Sequence, residues 1–119
     1  MTKTERQESG EAAEDRAQAY LESAGLRTLA RNWSSRLGEL DLVMRDGETI
    51  VFVEVRYRTR SNPVDPLETV DRRKQRRIAR TADAWLQRNQ CGDPPARFDV
   101  VAIAGGGELE WVRDAFDLD

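Results

Sequence analysis

Four side chains on two short stretches carry groups suited to handling a metal ion and a phosphate. They are Glu39 and Asp41 in Gly38-Glu39-Leu40-Asp41-Leu42, and Glu54 and Arg56 in Phe52-Val53-Glu54-Val55-Arg56. Both stretches alternate apolar and polar residues, the period of a half-buried strand. Asp46-Gly47 between them suits a type I′ turn, so the pair reads as a β-hairpin. Closed on that dipeptide, the hairpin sets Arg45 opposite Glu48, Val43 opposite Ile50 and Asp41 opposite Phe52. Glu39, Asp41, Phe52, Glu54 and Arg56 then share one face, with Leu40, Leu42, Val51, Val53 and Val55 on the other. Glu54 is a diagonal neighbour of Asp41, and like charges at that spacing repel. A divalent metal would relieve the repulsion, because two carboxylates can share one hard cation and leave positions for water and a phosphate oxygen. Arg56 returns to the same face, where it can steady a phosphate. Spacing alone leaves a plainer reading open, in which these are solvated strand carboxylates paired with nearby arginines.

The surrounding elements must hold this hairpin. Residues 1–8 are polar and read as a flexible N-terminal segment, with one domain over 9–119. A helix is expected from about Ser9, its N-cap, to Ala24, with Gly25 as the C′ residue. Its stripe is Ala13, Ala17, Tyr20, Leu21 and Ala24. Glu14 lies at the edge of that stripe, whereas Asp15 and Glu22 point away. Leu26 to Trp33 reads as a first strand, ended by a corner at Ser34-Ser35-Arg36. After the hairpin, 58–65 is an arginine-bearing loop with Asn62-Pro63. A second helix is expected from about Glu68 to Arg88. Ile78, Ala82, Trp85 and Leu86 form its apolar stripe, Arg72, Arg73, Arg76 and Arg80 its far side, and Lys74 the border. Arg97 to Ala104 is a strand buried on both faces, and Gly105-Gly106-Gly107 turns into a short last strand, Leu109 to Val112. The order α-β-β-β-α-β-β implies a mixed sheet flanked by helices.

Composition removes several chemistries. The chain has 119 residues, no histidine and a formal net charge of −3, so Ser-His-Asp and Cys-His schemes and histidine-metal sites are excluded. The lone Cys91 can form neither an intramolecular disulfide nor a zinc cluster, and reads as a loop thiol. No apolar run approaches membrane length, and a cytoplasmic location without membrane contact is expected. The acidic balance hides a local basic excess between Arg56 and Arg80, where basic residues outnumber Asp65, Glu68 and Asp71. Trp33, Trp85 and Trp111 read as core residues rather than as platforms for stacking bases.

Asp41 followed across a hairpin by Glu54-Val55-Arg56, after a helix bearing Glu14, resembles the PD-(D/E)XK nuclease superfamily, to which archaeal Holliday junction resolvases belong. More closely, Ala30-Arg31-Asn32-Trp33, Gly38-Glu39-Leu40-Asp41-Leu42, Phe52-Val53-Glu54-Val55-Arg56 and Phe98-Asp99-Val100-Val101-Ala102 resemble the YraN-like family of small bacterial proteins. The resemblance covers roughly residues 9–112 and implies a restriction endonuclease-like fold. It also implies Mg²⁺ or Mn²⁺ at Glu14, Asp41 and Glu54, with Glu39 as an extra carboxylate nearby. The sequence departs from the superfamily at Leu40, where proline is common, and at Arg56, where the catalytic lysine belongs. Arginine stays charged and is a poor general base. Lys74, which with Lys3 makes up the chain's lysines, stands where some members of the superfamily look to have moved theirs.

The resulting expectation is a metal-dependent endonuclease acting on nucleic acid, with branched or damaged DNA as one candidate substrate and the choice between DNA and RNA left open. Asp41, Glu54, Arg56 and Lys74 would form the catalytic set, and Arg58, Arg60, Arg72, Arg73, Arg76 and Arg80 the nucleic-acid surface. Two alternatives stand beside it, a nucleic-acid-binding module with a degenerate site and a protein-interaction domain. The arginine-rich helix face also reads as merely solvated, and a homodimer is left open.

Overall fold

The computed structural model describes residues 3–58, 70–105 and 107–117. Its elements are α1 (Lys3–Ser23), β1 (Arg27–Ser35), β2 (Gly38–Asp46), β3 (Thr49–Arg58), α2 (Arg72–Arg88), β4 (Ala96–Ala104) and β5 (Leu109–Phe116). They form a five-stranded sheet in the order β1-β2-β3-β4-β5. Among the described strands only β3 and β4 run parallel, with α2 in the crossover between them. This is the α-β-β-β-α-β-β order expected from the sequence, consistent with a restriction endonuclease-like fold.

Each sheet face carries one helix and its own core. Ala13, Ala17 and Leu21 of α1 pack with Leu26, Leu42, Met44, Val51, Val53, Val101 and Ile103. Ile78, Ala82 and Trp85 of α2 pack with Leu40, Val43, Ile50, Phe52, Val70, Val100 and Phe116. Burying one such aliphatic or aromatic side chain contributes about 1.5–3 kcal/mol. Phe52 anchors the second core, edge-on to Trp85 at 6.1 Å and stacked on Phe98 at 5.6 Å. As expected, β4 is buried on both faces from Val100 to Ile103.

Several boundaries differ from the sequence reading. Helix α1 starts at Lys3, so Ser9 lies inside it rather than at its N-cap. Its C-terminus is a Schellman motif: Leu26 N–H donates to the Leu21 carbonyl, Gly25 N–H donates to that of Glu22, and Gly25 takes φ 102. Ala24 is exposed and Tyr20 half-exposed, its ring meeting Trp111 edge-on. Asp15 and Glu22 do not simply point away, since Arg31 donates to Asp15 and Thr28 to Glu22. Helix α2 begins after Asp71, which caps it by accepting the Lys74 N–H at 2.9 Å. The expected start at Glu68 lies outside the described residues, as do Asn62-Pro63 and Gly106. Strand β5 runs four residues past Val112, to Phe116. Its added length is tied to β4 through Asp99, which is fully buried and accepts from Arg97 Nε, Trp111 Nε1 and the Asp114 backbone N–H.

The hairpin register also changes. Asp46 pairs with Thr49, Arg45 with Ile50 and Val43 with Phe52, so the turn is Gly47-Glu48 rather than Asp46-Gly47. Gly47 has φ 62 while Asp46 and Glu48 keep negative φ, the pattern of a type II′ turn with glycine first. The shift is even, so the faces survive, but Asp41 now comes opposite Glu54 instead of Phe52. Leu40 leaves its expected face and joins the α2 core with its partner Trp33. Asn32, at φ 51 on the adjacent strand, breaks the alternation there.

Candidate functional site

The site forms where β2 and β3 part. Their ladder runs to Leu42 and Val53. Beyond it the Asp41 carboxylate, not a backbone carbonyl, accepts the Val55 N–H, at 2.9 Å. That bond fixes Asp41 beside Glu54, and the two carboxyls hydrogen-bond to each other. Two acids this close, largely out of water, do not both ionise at neutral pH. Burial, then the charge of Asp41, pushes Glu54 up to about 7 against the opposing charges of Lys74 and Arg56. Burial raises Asp41 as well, although the Val55 N–H, the bond from Glu54 and the two cations hold it down. The pair therefore keeps a proton near neutrality, with Glu54 as donor and Asp41 as acceptor.

Two cations face it. Arg56 Nη1 is 3.4 Å from Glu54 Oε1, and Lys74 Nζ is 3.7 Å from the same oxygen. Lys74 is delivered by α2, whose first turn Asp71 pins through the backbone of Lys74 itself. The sequence-predicted catalytic set Asp41, Glu54, Arg56 and Lys74 is thus brought together. A cleft of about 460 Å³ opens over the group, lined by Ser34, Glu39, Asp41, Glu54, Lys74 and Arg77 among others.

Glu14 approaches from α1 without lining that cleft. Burial, then the charges of Asp41 and Glu39, raise its carboxyl, opposed by Arg31 and a hydrogen bond with Asn32. Its Oε2 is buried without a hydrogen-bond partner among the described residues. Among the described residues no three acids draw together closely enough to hold a metal ion. Asp41 and Glu54 are the pair of carboxylates that could be offered to a hard divalent cation, while Glu14 stands close enough to feel the charge of Asp41 without lining the cleft.

On α2, Arg72, Arg73, Arg76 and Arg80 are exposed, but only Arg73 and Arg80 line the hollow beside the carboxylate cleft. Arg58 ends β3 with its side chain outside the described residues, and Arg60 lies outside them altogether. Sequence reasoning missed Arg77 and Ser34 in the cleft wall. Arg77 was findable, standing four residues after Arg73 and one turn beyond Lys74. Nothing in the local sequence marks Ser34.

The chain matches the model of the uncharacterised protein family UPF0102 over residues 13–103. It belongs to that family. A UPF0102 protein of Halorhodospira halophila is 51% identical over 115 residues, covering 97% of this chain and 92% of the relative. One of Stutzerimonas stutzeri is 50% identical over 118 residues, covering 96% and 98% respectively. The span matched to UPF0102 includes Glu14, Asp41, Glu54, Arg56, Lys74 and Arg77, while β5 falls outside it. Among the described residues no helix is long and apolar enough to cross a membrane.

Proposed function

We propose that this UPF0102 chain is a cytoplasmic metal-dependent endonuclease that hydrolyses phosphodiesters in DNA, with branched or damaged DNA as its substrate. The observation that carries this reading is the placing of Asp41 and Glu54 together on a cleft wall with Lys74 3.7 Å from Glu54. Structural acids are normally ionised and satisfied, whereas this pair is strained by burial and repulsion that a divalent cation would relieve. Asp41 and Glu54 would hold Mg²⁺ or Mn²⁺, with Glu14 as the third acid. When bound, the metal supplies Lewis-acid polarisation and an activated water.

The protein's own groups do the rest. Glu54 must give up its proton before it can act as a ligand, and Lys74 and Arg56 favour that ionised form. Lys74, on the cleft wall 3.7 Å from Glu54 Oε1, would be placed to meet a phosphate oxygen as well. Arg56 cannot accept a proton, so its part is to hold charge and geometry. Arg72, Arg73, Arg76 and Arg80 offer phosphate contacts along α2 without reading sequence.

A panel of branched, single-stranded and duplex DNA, incubated with Mn²⁺ or Mg²⁺, tests the activity, with Glu54→Ala as the inactive control. Cleavage by the wild type alone is expected. Mn²⁺ should also raise the melting temperature by mass action. No cleavage together with no thermal response would overturn the reading. A second reading, a DNA-binding module without chemistry, is favoured by Arg56 standing paired to Glu54 where the superfamily's lysine belongs. It expects binding that weakens steeply with salt and no cleavage on any substrate.

A further inference from the structure

Beside the carboxylate cleft lies a second hollow of about 310 Å³, lined by Arg36, Leu37, Arg73, Arg77 and Arg80. Arg77 borders both. Arg73, Arg77 and Arg80 recur at i, i+4 and i+7 along α2, and Arg36 comes from the turn joining β1 to β2. Among the described residues no carboxylate pairs with any of these four guanidiniums.

Like charges at i, i+4 repel, and the carboxylate at this end of α2, Asp71, is engaged in capping the Lys74 N–H rather than in pairing with an arginine. The fold nevertheless drives the β1–β2 turn, and with it Arg36, onto this helix. Gly38 makes that approach possible. It adopts φ 153, and a Cβ there would come within 2.8 Å of Thr81 Oγ1 and 3.3 Å of Arg77 Cγ. Four cations, none of them paired with a carboxylate among the described residues, are thus gathered around a hollow from two separate elements, which is the arrangement of an anion seat.

We propose that this hollow binds the phosphomonoester at the end of a nucleic-acid strand, next to the carboxylate cleft. The inference rests on the nucleic-acid reading above and deepens it by naming the substrate's end group. An internal phosphodiester carries one negative charge, whereas a phosphomonoester carries about −1.5 to −2 at neutral pH and presents three strong acceptor oxygens. Guanidiniums supply five N–H donors each in a planar fork matched to such an oxygen set. A hollow closed by a turn suits a strand end, while the open arginine face of α2 suits a continuing backbone. Leu37, 48% exposed among the arginines, gives the terminal sugar and base an apolar contact. Arg77, shared by the two clefts, would place that end a short way from the candidate cutting site.

The test is fluorescence anisotropy with short DNA strands of one sequence, carrying a 5′-phosphate, a 3′-phosphate or hydroxyls at both ends. EDTA is present throughout, so binding is read apart from metal chemistry. One phosphorylated end should bind about tenfold tighter than the hydroxyl-ended strand, equivalent to about 1.4 kcal/mol. Arg36→Ala should abolish that preference while changing hydroxyl-ended binding less than about twofold, since a hydroxyl-ended strand brings no terminal phosphate to Arg36. Equal affinity of the wild type for all three strands, which needs no variant, would overturn the inference and leave the proposed endonuclease standing. So would a preference that persists in Arg36→Ala. Failure to bind any strand, even at low salt, would overturn both.

Discussion

Replacing Glu54 with glutamine should stabilise the metal-free protein at alkaline pH and do little at acid pH. Burial and the charge of Asp41 push the Glu54 carboxyl from its ordinary 4.5 to about 7, so the folded state holds this proton more tightly than the unfolded chain does. The stability tied to that proton is complete below about pH 4.5 and is lost as pH rises through about 7. At about 1.4 kcal/mol per pH unit, the whole gap corresponds to roughly 3 kcal/mol, a large share of the 5–15 kcal/mol typical of a small protein. Glutamine reproduces the protonated acid, because its amide N–H can donate to Asp41 while its oxygen remains available to Lys74. The assay is urea unfolding in EDTA at about pH 5 and pH 8. The wild type should lose about 3 kcal/mol between them, and Glu54→Gln should lose clearly less, keeping only the contributions of Glu14 and Asp41, and exceed the wild type by roughly 3 kcal/mol at pH 8. The absence of histidine keeps this window clear of the usual titrating side chain, and Glu14, raised in the same direction, adds to the wild-type loss. A wild type equally stable at both values, or a glutamine variant with no alkaline advantage, would refute the shared proton.

Lys74→Ala should abolish metal-dependent cleavage while leaving DNA affinity within a few fold, and Arg56→Lys should keep or raise activity; both are read in the cleavage assay, and full activity of Lys74→Ala would discard Lys74 as the phosphate-side cation. Asp99→Ala should cost about 3–5 kcal/mol in urea unfolding, because it leaves the Trp111 and Asp114 donors unmet and takes from Arg97 one of its two carboxylate partners, Asp46 being the other; a loss below about 1 kcal/mol would show that the network is not structural. Gly38→Ala should destabilise by about 1–3 kcal/mol through overpacking and backbone strain against Thr81, and an unchanged urea midpoint would show that the turn can retreat from α2 freely.

The part of the site legible in the sequence was the part that depends on strand parity. Asp41 and Glu54 fall on one face for any even register, so misplacing the turn by one residue left them together and changed only diagonal into opposite. The turn itself was misread because Asp46-Gly47 invites a type I′ geometry, while Asp46 is instead kept in the ladder by Thr49 and held by Arg97 at 3.0 Å. Arg97 lies 51 residues away, and no local rule reaches that far. Leu40 departs from its expected face beside Trp33, next to the left-handed Asn32 on the neighbouring strand, a position that strand alternation does not anticipate. Helix α2 was legible from its apolar stripe, but its start was set by one capping carboxylate, Asp71. The arginine hollow was invisible because one wall is a turn that reaches the helix only through the close approach at Gly38. Asp99 carried no local sign of burial, since its partners arrive from β5 and from a bulge in the β4–β5 pairing.

The single parallel pairing has a consequence for synthesis on the ribosome. Residues 3–58 contain α1 and a complete antiparallel meander, which can close as it emerges. Strand β3 then stands as a temporary edge, with Ile50-Val51-Phe52-Val53 unpaired on the side that β4 will fill and the Phe52 face bare until α2 arrives. A nascent chain paused there exposes the apolar edge from which aggregation spreads. A fragment ending at Arg58 should therefore sediment or be retained by a chaperone, whereas the full chain stays in solution. A fragment that remains a soluble monomer would mean that α1 and the first two hairpin strands guard that edge unaided.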